Sequence, residues 1–278
     1  MPIIPKYLEE ALPKLKDLYI RGKELEKNFS GVAIVGTRRA SAIGADIAEK
    51  TAYELARYGI PIISGLAVGI DSAAHRGALK AGGNTVAVLG CGTDIVYPLQ
   101  NKPLYEEILG KGGSIVSQYP DGEVPGRYTF LERNKIIAGL SVAVIIIEAP
   151  LRSGSINTAN HAIDFGREVL VFPGPYNHSN YGGSHKLIRD GARLVSSVDD
   201  VLEDLNLNTL FPKTASKTSF GSKEEEKIFE AIKDNGEPMT VDKIISATKL
   251  ETQKVLINLA KMTVCGIIIE TGGRYAIK

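Results

Sequence analysis

From residue 31 onward, short apolar runs recur at regular intervals along the chain, at 32–35, 61–63, 85–89, 114–116, 142–147, 169–172 and 193–195. Continuous apolar runs of this length, bounded by glycine and polar residues, are the pattern of strands buried on both faces. Between them lie stretches with helical spacing at 41–58, 70–81, 101–110, 130–139, 154–166 and 183–190. In the first of these Ile43, Ile47, Thr51 and Leu55 recur every four residues and so share one helix face, behind Ser41 as a suitable N-cap. Strict alternation of strand and helix predicts an α/β fold, a mostly parallel sheet with helices on both faces and a ligand beyond the carboxyl ends of the strands.

The pattern also divides the chain. Residues 1–30, rich in lysine and glutamate with one helix expected near 7–16, read as a short extension too small for a core of its own. Residues 31–205 form the alternating domain, and the small and polar residues of 206–222 read as a linker. Beyond it, Ser222 precedes three glutamates and the apolar pair Ile228 and Ile232, a capped amphipathic helix. A second helix starts at Thr240, a third spans 251–262, and Gly272-Gly273 sits between two β-prone runs as a hairpin turn. Three helices and a hairpin predict a small winged-helix-like domain over 223–278. Winged helices often read duplex grooves, but the nine basic and nine acidic residues of this domain give no evident nucleic-acid footprint, so a protein-docking or spacer role stands at least level with that reading.

Composition narrows the partner. With 33 Lys and Arg against 32 Asp and Glu, the formal charge is +1, so any nucleic acid must be met by a local patch instead of an overall basic excess. Cys91 and Cys265, far apart, make neither a disulfide framework nor a metal cluster. The first ten residues lack the apolar core of a secretory leader and no long apolar run occurs, so a cytoplasmic protein without a membrane partner is expected.

The strand ends carry the candidate chemistry. Gly36, Thr37, Arg38 and Arg39 close the first apolar run just before a helix, where free N–H groups and the helix dipole favour an anion and the forked guanidinium groups suit phosphate. In the competing reading one arginine covers the sheet edge and the other is solvated. The next runs lead into Ser64-Gly65, with Asp71, His75 and Arg76 on the following helix, and into Ser153, Gly154, Asn157 and Thr158. Within 125–135, Phe130, Arg133, Asn134 and Lys135 mix ring and cation, as single-strand binding surfaces do. Phe130 and Arg133 taken alone fit a core ring and a surface charge equally well. The company of Arg38, Arg39, Arg76, Arg133, Lys135 and Arg152 on one edge favours the ligand reading.

Other chemistries lack their motifs. Arginines stand where a dinucleotide-binding turn needs its second glycine, and no P-loop motif occurs, so no cofactor is expected. Asp71 and His75 are one helical turn apart, a spacing open to general-base work, but no nucleophile accompanies them and local structural roles are favoured. The remaining histidines, His161, His178 and His185, show no metal-ligand spacing.

The ordered motifs Gly36-Thr37-Arg38-Arg39, Ser64-Gly65-Leu66-Ala67-x-Gly69-Ile70-Asp71, Tyr97-Pro98, Arg133-Asn134-x-Ile136-Ile137-Ala138-Gly139 and Ser153-Gly154-Ser155 resemble those of the DNA-processing protein family DprA, also called Smf. The resemblance covers about 31–200. It implies an extended Rossmann-like domain that binds single-stranded DNA with little sequence preference, protects incoming DNA, forms a homodimer and helps load the RecA recombinase in natural transformation. It points to Arg38, Arg133, Asn134 and Lys135 as the lining of a basic pocket. Thr37 replaces a usual serine, Lys135 a usual arginine and Gln118 a usual glutamate. The N-terminal helical domain of many relatives is expected to be absent or reduced to 1–30.

A second reading comes from a likeness to lysine-decarboxylase-like phosphoribohydrolases, which cleave a base from a nucleoside monophosphate. Their helix start ends in a catalytic glutamate, where this chain has His161. Hydrolysis is therefore disfavoured, while nucleotide binding stays open.

Overall fold

The structure is a computed structural model describing residues 3–206, 222–264 and 267–277. It divides into two compact units, Met1–Thr214 and Ala215–Lys278.

The sheet of the first unit holds β1 (Tyr19–Gly22), β2 (Gly31–Gly36), β3 (Ile62–Ser64), β4 (Thr85–Leu89), β5 (Ser114–Ser117), β6 (Ser141–Ile147), β7 (Glu168–Val171) and β8 (Arg193–Leu194). Their order is β1-β5-β4-β3-β2-β6-β7-β8, parallel throughout except for the β1–β5 pair. The helices are α1 (Lys6–Ala11), α2 (Ala42–Arg57), α3 (Ile70–Lys80), α4 (Lys102–Gly110), α5 (Arg127–Gly139), α6 (Gly154–Asp164), α7 (Gly182–Arg189) and α8 (Val198–Asp204).

The two-residue period of a strand shows which helices cover which face. Ala33, Val35, Val144 and Ile146 pack with Ile136 and Ile137 of α5 and Ala159 and Ala162 of α6. Their neighbours Val32, Ile34, Ile145 and Ile147 pack with Ala48, Ala52 and Leu55 of α2 and Ile70 and Ala73 of α3. Both faces of β2 and β6 are therefore dry, which is why these strands read as unbroken apolar runs. Each buried valine, leucine or isoleucine contributes about 1.5–3 kcal/mol relative to exposure.

The amino-terminal segment departs from its expected role as a separate extension. Leu8, Leu18 and Leu25 are buried in the main core, and β1 pairs with the edge of the sheet from Tyr19 opposite Ser117 to Gly22 opposite Ser114. The helix expected near 7–16 ends at Ala11 because Pro13 disfavours helical backbone in the residue before it. The expected linker falls, between its two ends, outside the described residues.

The second unit contains α9 (Lys223–Asn235), β9 (Met239–Thr240), α10 (Val241–Thr248), α11 (Thr252–Val264), β10 (Ile268–Thr271) and β11 (Arg274–Ile277). Ser222 caps α9 by accepting from the Glu225 N–H at 3.2 Å, and Gly272 and Gly273 make the hairpin turn with φ +60° and +74°. Ile228, Ile232, Ile244, Val255 and Leu259 form its core. Three helices followed by a hairpin are the elements expected; β9 adds a short third strand to it.

One feature of the topology fixes where a ligand can go. From β2 the chain leaves through α2 toward β3, whereas from β6 it leaves through α6 toward β7, on the opposite side. The loops following these two adjacent parallel strands diverge and open a crevice at their carboxyl ends.

Candidate nucleic-acid interface

The turn between β2 and α2 forms one wall of the crevice. Its backbone is already engaged: the Thr37 N–H donates to the Glu148 carbonyl at 2.8 Å, the Arg39 N–H to the Thr37 hydroxyl at 3.2 Å, and the Gly44 N–H to the Ser41 hydroxyl at 3.0 Å. The Ser41 N–H and hydroxyl both donate to the Glu148 carboxylate. The first turn of α2 thus holds an internal anion, contrary to the expectation that its free N–H groups receive a phosphate. What the turn offers the crevice is the side chains of Arg38 and Arg39, both exposed.

The opposite wall comes from α5. The Phe130 ring lies 5.3 Å from the Tyr97 ring, and the Arg38 guanidinium stands 5.3 Å from the Phe130 centroid. Arg133 is only 5 % exposed. Its Nη1 donates to the carbonyls of Gly65 at 2.5 Å and Val88 at 2.6 Å, tying the ends of β3 and β4 together behind Phe130. Gly65 is a glycine because a Cβ there would collide with that guanidinium. Asn134 bridges α5 to α6, donating to the Gly154 carbonyl at 3.2 Å and the Asn157 side chain at 3.1 Å.

Together these walls enclose a cleft of about 640 Å³, within the range of small-molecule and nucleotide sites. Gly36, Thr37, Arg38, Arg39, Phe130, Arg133, Asn134, Ser153, Gly154 and Thr158 line it. Gly65 faces a smaller adjoining recess shared with Arg38, Tyr97 and Phe130. Asn157 takes part through Asn134.

Three expected residues stand apart from the cleft. The Ser64 hydroxyl is buried and donates to the Ile34 carbonyl at 2.7 Å. Arg76 faces α2 and pairs with Glu49 at 3.8 Å, and Lys135 pairs with Glu132 at 2.7 Å. The placement of all three follows from helix and strand phase, which strand-end mapping on the sequence does not resolve.

The sequence reading missed other lining residues. Arg127 opens α5 beside the ring and cation run, and Tyr97 follows the third predicted strand without being among the expected site residues. Arg152 was grouped with the other cations on the ligand edge, and the structure lines the cleft with it. Five arginines and one carboxylate, Asp71, therefore line the cleft.

Asp71 is buried, accepts from the Gly65 N–H at 3.2 Å and the Ala67 N–H at 3.4 Å, and faces Arg133. Burial pushes its carboxyl above the usual range, against the pull of Arg133 and those N–H donors. His75 has a different partner, Thr85, at 2.7 Å. Because the Thr85 hydroxyl donates to the Ile62 carbonyl at 2.9 Å, it accepts from His75 Nδ1–H, leaving Nε2 buried and unpaired. Burial, with Arg133 and Arg76 nearby, brings its pKa down to about 3. Asp71 and His75 are fastened separately and form no acid–base pair. Among the described residues no cluster of metal-ligating side chains occurs and no helix is long and apolar enough to cross a membrane.

The family model for DNA recombination-mediator protein A matches residues 2–206. The chain belongs to that family. It is 39 % identical over 249 residues to a putative DNA processing protein DprA of Mycobacterium tuberculosis, covering 88 % of this chain and 64 % of that one. The crystal structure of DprA from Streptococcus pneumoniae superposes with a TM-score of 0.66 at 40 % identity, over 72 % of this chain and 70 % of that one. DNA processing protein A of Helicobacter pylori, described for its single-stranded DNA binding mode, gives 0.68 at 31 % identity over 75 % and 95 %. The match begins at residue 2, so the family domain includes the amino-terminal strand and helix that the sequence reading set apart.

Proposed function

We propose that the cleft binds single-stranded DNA through its phosphates, with a base against Phe130 and Tyr97, and that the protein acts in the cytoplasm as a homodimer that protects incoming strands and helps load RecA in natural transformation. The observation that carries the reading is the state of the arginines. Many surface cations elsewhere in the unit have carboxylate partners, as in Lys50–Asp46 at 2.8 Å, Lys111–Glu107 at 2.8 Å and Lys186–Asp190 at 2.7 Å. Exposed ones without such a partner among the described residues, such as Lys14, Lys23 and Arg189, do not line the cleft. Arg38, Arg39, Arg127 and Arg152 make no ion pair among the described residues, yet they surround one aromatic pair. Cations left without carboxylates beside a pair of aromatic rings suit a flexible polyanion with exposed bases. The single-stranded DNA binding described for the Helicobacter pylori relative supports the same ligand. A phosphoribohydrolase reading has less support. His161, where that chemistry needs a glutamate, stacks on Phe165 at 6.1 Å and does not line the cleft.

Titration of labelled single- and double-stranded oligonucleotides at several salt concentrations, with mass from light scattering, tests the proposal. Expected are a preference for single strands, a dimeric mass, and affinity falling with salt by a slope of about −0.7 per phosphate neutralised. Equal affinity for duplex, or affinity insensitive to salt, overturns it.

A further inference from the structure

A fully buried carboxylate stands behind the turn that forms one wall of this cationic cleft. Glu148 follows β6 directly, with φ +52°, a left-handed conformation uncommon for a residue with a side chain. Its carboxylate accepts from the Ser41 N–H at 2.9 Å, from the Ser41 hydroxyl, from Asn180 Nδ2 at 3.0 Å and from the Tyr181 hydroxyl at 3.1 Å. Asn180 Nδ2 also donates to the Arg39 carbonyl at 3.0 Å. A Cβ at Gly44 would collide with the Glu148 carboxyl, so the glycine in the first turn of α2 leaves it room. One side chain thus fastens the turn after β2, the start of α2 and the loop before α7.

Burial works against ionisation here. The converging donors from Ser41, Asn180 and Tyr181 outweigh it, and the carboxyl is held below its usual range. Glu148 is therefore an anion at neutral pH, placed where doubly wound folds hold a ligand's phosphate.

We infer that Glu148 is the positioning residue of the cleft: as the resident anion of the α2 N-terminus it fixes the turn that presents Arg38 and Arg39, so that phosphates meet guanidinium groups instead of helix N–H groups. The inference rests on the nucleic-acid reading of the cleft. Two consequences of the negative charge have opposite signs. By Coulomb attraction alone, its removal strengthens the pull of the arginines on phosphate. By loss of positioning, its removal weakens binding. Arg38 and Arg39 are exposed, where water and salt screen the first effect, while hydrogen bonds to a buried charged group are among the stronger ones. Positioning wins.

The test measures dissociation constants of the full chain for a labelled oligothymidylate against salt, for the wild type, Arg38→Ala, Arg39→Ala, Glu148→Gln, Ser41→Ala and the double variant Arg39→Ala/Glu148→Gln. Glu148→Gln is expected to weaken binding about tenfold and to make the salt slope shallower by about 0.7, one phosphate. Ser41→Ala, which keeps the charge but loses a donor to it, shifts both in the same direction. The double variant is no weaker than the more damaging single one, because both remove the same contact. Tighter binding by Glu148→Gln, or weaker binding at an unchanged slope, overturns the inference, since a role in stability alone lowers the active fraction without changing the slope. Circular dichroism checks folding, and if Glu148→Gln does not fold, the slope of Ser41→Ala decides by the same criterion. Unchanged affinity in Arg38→Ala sinks the nucleic-acid reading itself. Weakening there, with Glu148→Gln and Ser41→Ala like wild type, sinks only the role of Glu148.

Discussion

The arginines of the cleft fall into two physical classes, and mutation separates them. Arg133 is buried, bonded to two carbonyls and facing buried Asp71. Its removal leaves a buried carboxyl without its cation, and Arg133→Ala is expected to lower unfolding free energy by about 3–5 kcal/mol in urea titration. Arg38 is exposed with Phe130 as its neighbour. Arg38→Ala is expected to change stability by less than about 0.5 kcal/mol while weakening binding to all sequences alike. The reverse ranking exchanges their roles. His75 adds a pH dependence. Its pKa is about 3 in the folded protein against an ordinary 6.5, so the unfolded chain takes up a proton first as pH falls. The neutral imidazole stabilises the fold above pH 6.5, and this contribution is lost between pH 6.5 and about 3, at up to about 1.4 kcal/mol per pH unit. His75→Asn, which retains a donor toward Thr85, is expected to flatten the stability profile in that window. A profile parallel to wild type excludes His75 as the source. The sequence showed that Asp71 and His75 share a helix turn. That one bonds toward β3 and the other toward β4 is decided by tertiary contacts with Gly65 and Thr85.

At the scale of elements, strands buried on both faces were legible because their apolar runs need no partner to be recognised. β2 and β6 were read within a residue or two of their observed bounds. β1 was not, since Tyr19-Ile20-Arg21-Gly22 is half exposed and mixed in polarity, and its state is set by pairing with β5, almost a hundred residues away. Gly22, with φ +95°, ends the strand where a side chain would meet the Gly113 carbonyl and Leu109. The segment shields an edge and buries Leu8, Leu18 and Leu25. Deleting residues 3–25 is expected to lower stability by several times the about 1.5–3 kcal/mol of one buried leucine and to promote association through the bared β5 edge. Unfolding titration and light scattering read both, and a stable protein of unchanged mass returns the segment to the status of an appendage.

For the molecule as a whole, the crevice could be placed from alternation of strand and helix alone, because parallel sheets put loops of one kind at one edge. What anion the α2 turn would receive could not be placed, because its occupant, Glu148, arrives from over a hundred residues away. The charge distribution between the two units carries the last expectation. Five arginines converge on the cleft of the first unit, whereas residues 223–278 carry equal numbers of basic and acidic residues. On the third helix of the second unit Leu256 and Ile257 are exposed beside Lys254 and Lys261, a surface unlike a phosphate-binding stripe. A chain ending at residue 214, the first compact unit with its own core, is therefore expected to keep the affinity for single strands within about threefold and the salt slope within the about 0.7 of one phosphate. A slope shallower by two or more phosphates places part of the strand on the second unit. That result moves the nucleic-acid interface beyond the cleft and gives the balanced charge of residues 223–278 a local arrangement that its sum conceals.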